Sequence, residues 1–335
     1  MKTMTPEQLI AIGEQLQITG HWQEAEGRFM QALDSAKQLG DLRLQTIATS
    51  FLASLFLQRG DLTLALELYN QGLELAERSG IQLLIALIYN GMGLAHNMQS
   101  NYQQAIAFFE KSAKIAEQSN ELQFLAATYG NLGIIYKKQN DFEKAIQVYQ
   151  KSLECSLKIH DDQTTAHQYG NLGNIYFEQR RYVLATEMFR KCLEVFKRYD
   201  DPQSAATAYG NLGDIQLELG NYTAAMQFHL KALEIMQQIG DEPNVALWSG
   251  SLAIVYEKMG NVEQALVHYD KALKIMEHIG DRHGAARQHF NMGQLCREHG
   301  QIAQARAHYI EANALCEMVG DKEHAQIATN LLQML

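Results

Sequence analysis

Tyr129-Gly130-Asn131-Leu132-Gly133 decides the reading of this chain. The same five residues return forty positions later as Tyr169-Gly170-Asn171-Leu172-Gly173, and again as Tyr209-Gly210-Asn211-Leu212-Gly213. Weaker copies stand at Tyr89-Asn90-Gly91-Met92-Gly93, Ser249-Gly250-Ser251-Leu252-Ala253 and His289-Phe290-Asn291-Met292-Gly293. A fixed period of this length marks a stacked-repeat architecture, in which each unit buries its apolar face only against its neighbours.

Working outward from these copies, the chain divides by forties without insertion or deletion: 1–40, 41–80, 81–120, 121–160, 161–200, 201–240, 241–280 and 281–320. A remnant at 321–335 matches the first half of a further repeat and is expected to form a capping helix. Breaks recur between repeats, as at Gly40-Asp41, Asn120-Glu121, His160-Asp161 and Gly240-Asp241. They recur also within repeats, as at Gly20, Gly60, Asn140-Asp141, Arg180-Arg181 and Gly220-Asn221. Gly or Asn tolerates the left-handed conformation that ends a helix, and the Asp or Asn after it caps the next. Each repeat therefore reads as two helices of about four turns joined by a tight turn.

Three columns describe the packing. Alanine stands at 25, 65, 105, 145, 185, 225, 265 and 305. Four residues on comes an aromatic, Phe29 through Tyr309, with His229 the exception. Twelve residues before the alanine stands Gly13, Ala53, Gly93, Gly133, Gly173, Gly213, Ala253 or Gly293. A mid-helix glycine costs roughly 1 kcal/mol relative to alanine, so its recurrence needs a reason. The expected reason is close approach of two helices, with the glycine facing the alanine and the aromatic filling the wedge toward the next repeat.

Composition narrows the function. The chain has 335 residues, 38 acidic against 28 basic, for a net charge of -10. That balance argues against nucleic acid, whose phosphates require a cationic footprint. No stretch is long and apolar enough to suggest membrane insertion. Cys155, Cys192, Cys296 and Cys316 are irregularly spaced with no CxxC pair, as expected of reduced thiols in a cytoplasmic protein.

The columns resemble those of the tetratricopeptide repeat: an aromatic, Leu-Gly and Tyr on the first helix, then Ala, aromatic and a small residue on the second. Tyr129, Leu132, Gly133, Tyr136, Ala145, Tyr149 and Ser152 supply them in the fourth repeat. The common repeat of that family has 34 residues and a proline after the second helix. Here the repeat has forty, and Leu157 stands at the proline position. The pattern is similar to the 40-residue branch found in kinesin light chains and Pins-related adaptors. The resemblance implies an all-α fold, a right-handed α-solenoid superhelix of eight helix-turn-helix repeats with a C-terminal cap, forming a single domain. It also implies that a second stripe on each first helix lines a concave peptide-binding groove.

That stripe carries Asn131, Lys137 and Lys138 in repeat four, and His167, Asn171, Asn174, Phe177 and Glu178 in repeat five. It continues with Asn211, Asp214 and Glu218, and ends with Arg287, Asn291 and Arg297. Asn offers a donor and an acceptor, so a ladder of Asn can pair with a peptide main chain whatever its side chains. The adjacent Gly is expected to remove bulk so that an extended segment can approach. The alternative use of these amides is to bond neighbouring helices and hold the repeats in register. A Lys/Arg clamp for an acidic C-terminus fits poorly, because Glu178, Asp214 and Glu218 lie between the basic positions. The charge order instead suits a ligand that is basic at its middle.

His289, Cys296 and His299 share a helix face, but the first two are about 10 Å apart along the axis, too far for one ion. No metal or other cofactor is expected. No P-loop, dinucleotide fingerprint or nucleophile elbow occurs, so the sequence points away from an enzyme. It points to a protein-interaction scaffold with a protein or peptide ligand in its groove. The alternatives are a self-assembling solenoid, a homo-oligomer through the apolar Leu331–Leu335 or through the groove, and a sensor of a small signalling peptide.

Overall fold

The computed structural model describes residues 4–335, in which the only regular structure is helical. Packing divides the chain into two compact units, one ending at Gln168 and one beginning at Tyr169. The first holds α1 (Pro6–Ile18), α2 (Trp22–Leu39), α3 (Leu42–Gln58), α4 (Leu62–Ser79), α5 (Gln82–Met98), α6 (Tyr102–Ser119), α7 (Leu122–Lys138) and α8 (Phe142–Lys158). The division falls inside α9 (Asp162–Glu178). The second unit continues with α10 (Tyr182–Arg198), α11 (Pro202–Glu218), α12 (Tyr222–Ile239), α13 (Glu242–Lys258), α14 (Val262–Ile279), α15 (Arg282–Glu298), α16 (Ile302–Val319) and α17 (Lys322–Gln333). The closest packing is within hairpins such as α3–α4, α7–α8, α11–α12 and α15–α16, and α4, α12 and α16 also pack on α5, α13 and α17 respectively. The architecture is an all-α solenoid.

The helices end where the sequence places breaks. Gly20, Gly40, Gly60 and Gly220 all have positive φ, and so do Asn120, Asn140, His160 and Arg180. Capping follows: Asp41, Asp61, Asp141, Asp201 and Asp281 each accept a hydrogen bond from the backbone N–H three residues on. Pro202 and Pro243 lie in the first turn of α11 and α13, where no intrahelical N–H bond is lost.

The alanine column is fully buried in every repeat, Ala25 through Ala305. The glycine column, however, does not face it as expected. Gly93 meets the ring of Phe109, Gly133 that of Tyr149, Gly173 that of Phe189 and Gly293 that of Tyr309. The aromatic thus closes its own hairpin and also reaches the next repeat as expected: Phe29 stacks on Phe51 of α3 with centroids 5.2 Å apart, and Tyr269 packs in one cluster with Met292 and Leu295 of α15. A Cβ on Gly93 or Gly173 would lie 2.9 Å from ring carbons. Long helical side chains lean toward the N-terminus of their helix, so the ring at 149 covers the level of Ala145 and takes the place the alanine was expected to fill. Where the first helix carries Ala53 instead, the ring of Tyr69 rests against Gly91 of α5. The third, small-residue column adds a tether: Ser112 and Ser152 donate to the carbonyls of Ala86 and Ala126 at 2.8 and 2.6 Å.

At the C-terminus, Leu331, Leu332 and Leu335 pack against Cys296, Ala305 and Tyr309. Three of the four apolar residues expected to offer an oligomer surface are therefore used within the chain; Met334 remains exposed. Among the described residues no helix is long and apolar enough to cross a membrane.

The ring-on-glycine contact can be tested directly. Gly173→Val drives its side chain into the Phe189 ring and should cost about 1–3 kcal/mol by overpacking, read as a lower melting temperature by circular dichroism. An unchanged melting temperature would remove this contact from the account of the fold.

Candidate functional site

Residues three and four apart share one side of a helix, and accessibility follows that spacing on the first helix of each hairpin. On α7, Ala127, Ile134 and Lys138 are exposed, with Asn131 and Lys137 half-buried. On α9, His167 and Glu178 are exposed and Asn171, Asn174 and Phe177 half-buried. On α11 the exposed ends are Thr207 and Glu218, with Asn211 and Asp214 half-buried between them. On α15, Arg287 is exposed and Asn291 and Arg297 are half-buried. Within each unit, the stripe chosen from sequence is thus an accessible face.

The glycines beside the asparagines do not belong to that face. Gly130, Gly210 and Gly250 are buried, and the space a Cβ would occupy is taken by Gln168, Trp248 and Gln288 respectively. Each of these belongs to the first helix of the following hairpin. The missing side chain makes room for a neighbouring helix, not for a ligand, which corrects the expectation from sequence.

The asparagines behave differently. Among the described residues, the carboxamides of Asn131, Asn211 and Asn291 make no hydrogen bond, whereas Asn171 is engaged. An asparagine that does bond between repeats is Asn90, whose Nδ2 donates to Thr128 Oγ1 at 2.9 Å. It stands in the column of Gly130, Gly170 and Gly210, one position before the asparagine column, and the two uses are thereby separated by sequence position.

The charged members are partly committed. Lys137, His167 and Glu178 are engaged. Lys138 donates to Asn97 at 3.3 Å and lies over the Tyr102 ring. Glu218 accepts from the Tyr182 hydroxyl at 3.3 Å, and Tyr182 in turn contacts Phe177 with ring centroids 5.8 Å apart. Arg287 and Asn291 border a cleft with Phe290, Cys316, Asp321 and His324.

One pairing on this face was not read from the sequence. His229 of α12, the polar exception in the aromatic column, is fully buried on Gly213 and stacks on Trp248, centroids 5.9 Å apart. Its Nε2 lies 3.5 Å from Asp214 Oδ1, yet neither ring nitrogen makes a hydrogen bond. Burial pushes His229 down to about 4. Burial, with Glu218 adding repulsion, pushes Asp214 up to about 6. The Asp214 side chain is still 40% exposed, so solvent tempers that push. The signal was available: every ring in the column sits sixteen residues after the small residue of its first helix, which placed residue 229 beside 213 and 214.

The two shifts act oppositely on stability. His229 binds its proton less readily folded than unfolded, so stability is lost as pH falls from about 6.5 through 4. Asp214 binds its proton more readily folded, so its contribution falls as pH rises from its ordinary value through about 6. His229→Phe, which restores the column's usual ring and removes two unpaired buried nitrogens, should stabilise by about 1 kcal/mol at neutral pH and flatten the acid limb of the melting curve. Asp214→Asn should raise the melting temperature at pH 7–8, with the difference vanishing well below pH 4. Thermal melts across pH check both, and a parallel shift at all pH values would contradict the assignment.

Among known proteins, the tetratricopeptide repeat profile matches residues 8–78, 84–158, 164–238 and 244–333. No curated protein matches the chain. A signal transduction ATPase with numerous domains and a tetratricopeptide repeat sensor, from Pyrococcus horikoshii, is similar at TM-score 0.75 and 16% identity, over 97% of this chain. The chain spans 50% of that protein's length. The apo quorum sensor NprR from B. thuringiensis is similar at 0.61 and 15%, over 97% of this chain and 96% of that one. A Rap protein complexed with competence and sporulation factor gives 0.56 and 15%, over 98% and 96%. These likenesses are of fold, and with the profile covering most of the sequence they have one consequence: the chain belongs to the tetratricopeptide repeat family.

Proposed function

We propose that this protein is a non-enzymatic interaction scaffold of the cytoplasm that binds an extended or helical peptide segment of a partner along the accessible face of its first helices. The observation that carries this reading is the recurrence of half-buried, unpaired carboxamides at one helical position, Asn131 in the first unit and Asn211 and Asn291 in the second. A half-buried amide with no protein partner keeps its donor and acceptor open to a ligand, and each hydrogen bond exchanged from water to that ligand is worth about 0.5–1.5 kcal/mol net. A ligand main chain restores both its donor and its acceptor capacity. Because the helices that hold the amides are already formed, binding orders the ligand far more than the receptor, which limits its cost. Side chains beside the amides would select the sequence: Ile134 and Lys138 on α7, Phe177 on α9, Asp214 and Glu218 on α11, Arg287 and Arg297 on α15. Two proteins of similar fold, a quorum sensor and a Rap protein bound to competence and sporulation factor, are consistent with ligand binding on such a scaffold. The four cysteines, buried and unpaired, agree with a reducing compartment.

A displayed library of random peptides tests the reading. The parent protein should enrich a family of related peptides. The triple variant Asn131→Ala, Asn211→Ala, Asn291→Ala should keep its helicity and melting temperature, yet lose that enrichment. Equal enrichment by both proteins would overturn the role of the amides, and loss of several kcal/mol of stability would make them structural instead.

A further inference from the structure

We propose that Asp214 and Glu218, backed by the buried ring of His229, form a subsite on the second unit that takes one basic side chain, a lysine ammonium or an arginine guanidinium, of the bound segment. The proposal rests on the peptide-binding reading above and names what that face selects.

Two carboxylates one turn apart are ordinarily a solvated helix edge, and the chain has many such pairs. His229 distinguishes this one. Its side chain is fully buried, neither nitrogen is hydrogen-bonded, and Nε2 lies 3.5 Å from Asp214 Oδ1. In the other seven hairpins a phenyl or phenol ring fills this place, and a hydroxyl there, as that of Tyr269 donating to Glu257 at 2.9 Å, sits at the tip of the ring and not within it. Here the apolar contact with Gly213 and Trp248 is kept, and a potential donor is placed beneath a carboxylate of the accessible face.

Charge on that carboxylate is not compensated by the protein. Among the described residues, the only group that could ion-pair within 4 Å of Asp214 is His229, which burial holds neutral at physiological pH. On its own helix, Glu218 adds a like charge and Asn211 an unpaired amide. From α10, Tyr182 donates to Glu218, while Arg181 and Lys197 lie over the rings of Tyr176 and Tyr209. At the matching positions of α13 stand Ser251 and Ile254, neither ionisable, and beyond them Glu257 lies 3.6 Å from Lys258. On α9 the matching residue is Asn174, with Glu178 one turn further on and already engaged.

A cation from outside is the missing member. Brought against both carboxylates in a half-buried setting, it gains more than at a fully hydrated surface. It allows Asp214 to stay ionised, and neutral His229 in its Nε2–H tautomer then has an anion to donate to. His229 acts here as a positioning residue. Asn211, one turn before Asp214, would hold the adjoining main chain. Proton and ligand compete for Asp214, so binding weakens as pH falls below about 6.

Trp248, stacked on His229, reports on the subsite, and Trp22→Phe leaves it as the only indole. The probes are an oligoarginine peptide and its citrulline counterpart, isosteric but uncharged, titrated at fixed ionic strength. Oligoarginine should perturb Trp248 emission saturably and citrulline should not. Asp214→Asn should weaken the effect about ten-fold, the loss of one charge-assisted contact. Glu187→Gln, which changes net charge equally on the exposed side of α10, should leave it unaltered. Binding should also decline between pH 7 and 5. Equal loss in Asp214→Asn and Glu187→Gln would reduce the effect to general charge and overturn the subsite, as would equal binding of the citrulline peptide. If the parent's library enriches peptides without basic residues, through the asparagines, the groove stands and the subsite falls. If no peptide family is enriched at all, the groove reading itself fails.

Discussion

Everything in this chain turns on a flat ring laid against a backbone that carries no side chain. Phe109 on Gly93, Tyr149 on Gly133, Phe189 on Gly173 and Tyr309 on Gly293 are one contact made repeatedly, and it sets how closely the two helices of a hairpin approach. The glycine forfeits helix propensity of about 1 kcal/mol, while the ring buries a large apolar surface worth several times that. The balance favours the contact so long as nothing protrudes from the first helix at that level. Where a methyl is present, as at Ala53, the ring of Tyr69 shares a core cluster with it and also meets Gly91 of the next hairpin.

That constraint also explains why the face available to a ligand is narrow. A first helix is held on one side by its own hairpin's ring and on another by the following hairpin, whose Gln168, Trp248 or Gln288 occupies the gap above Gly130, Gly210 or Gly250. What remains is the strip one residue further round, where the asparagines stand. The amides of Asn131, Asn211 and Asn291 there are half-buried by their neighbours but not bonded to them, which makes each a group of fixed position with unused hydrogen-bonding capacity. Side chains on loops would not be held so firmly.

Helix ends were legible in the sequence almost residue by residue, because a left-handed terminus demands a small set of residues at a fixed place and the period repeats that demand. Gly220 and Asn140 show it plainly. The three packing columns were legible too, but the partners were not. Spacing tells which residues share a side of one cylinder; it does not tell how far Tyr149 leans along its helix, or that Trp248 enters from the next hairpin to cover Gly210. The contact between His229 and Asp214 lay between these cases: its geometry followed from the column, while the burial that leaves both nitrogens unpaired depends on Trp248, which no period predicts. The apolar end, Leu331 to Leu335, shows the same limit, since sequence alone cannot distinguish a residue that covers its own chain from one that awaits another.

The turns differ in a way that bears on durability. Ten of them end on glycine, at both ends of the chain; the six at Ser100, Asn120, Asn140, His160, Arg180 and Asp200 place a full side chain in the left-handed region. For an L-residue that conformation costs roughly 1–2 kcal/mol, less for asparagine and aspartate. In an array whose cohesion is a sum of nearest-neighbour terms, such costs are local debits, gathered here at midspan. Such a molecule would loosen from its waist while its extremities still held, the reverse of a zipper that frays at its tips.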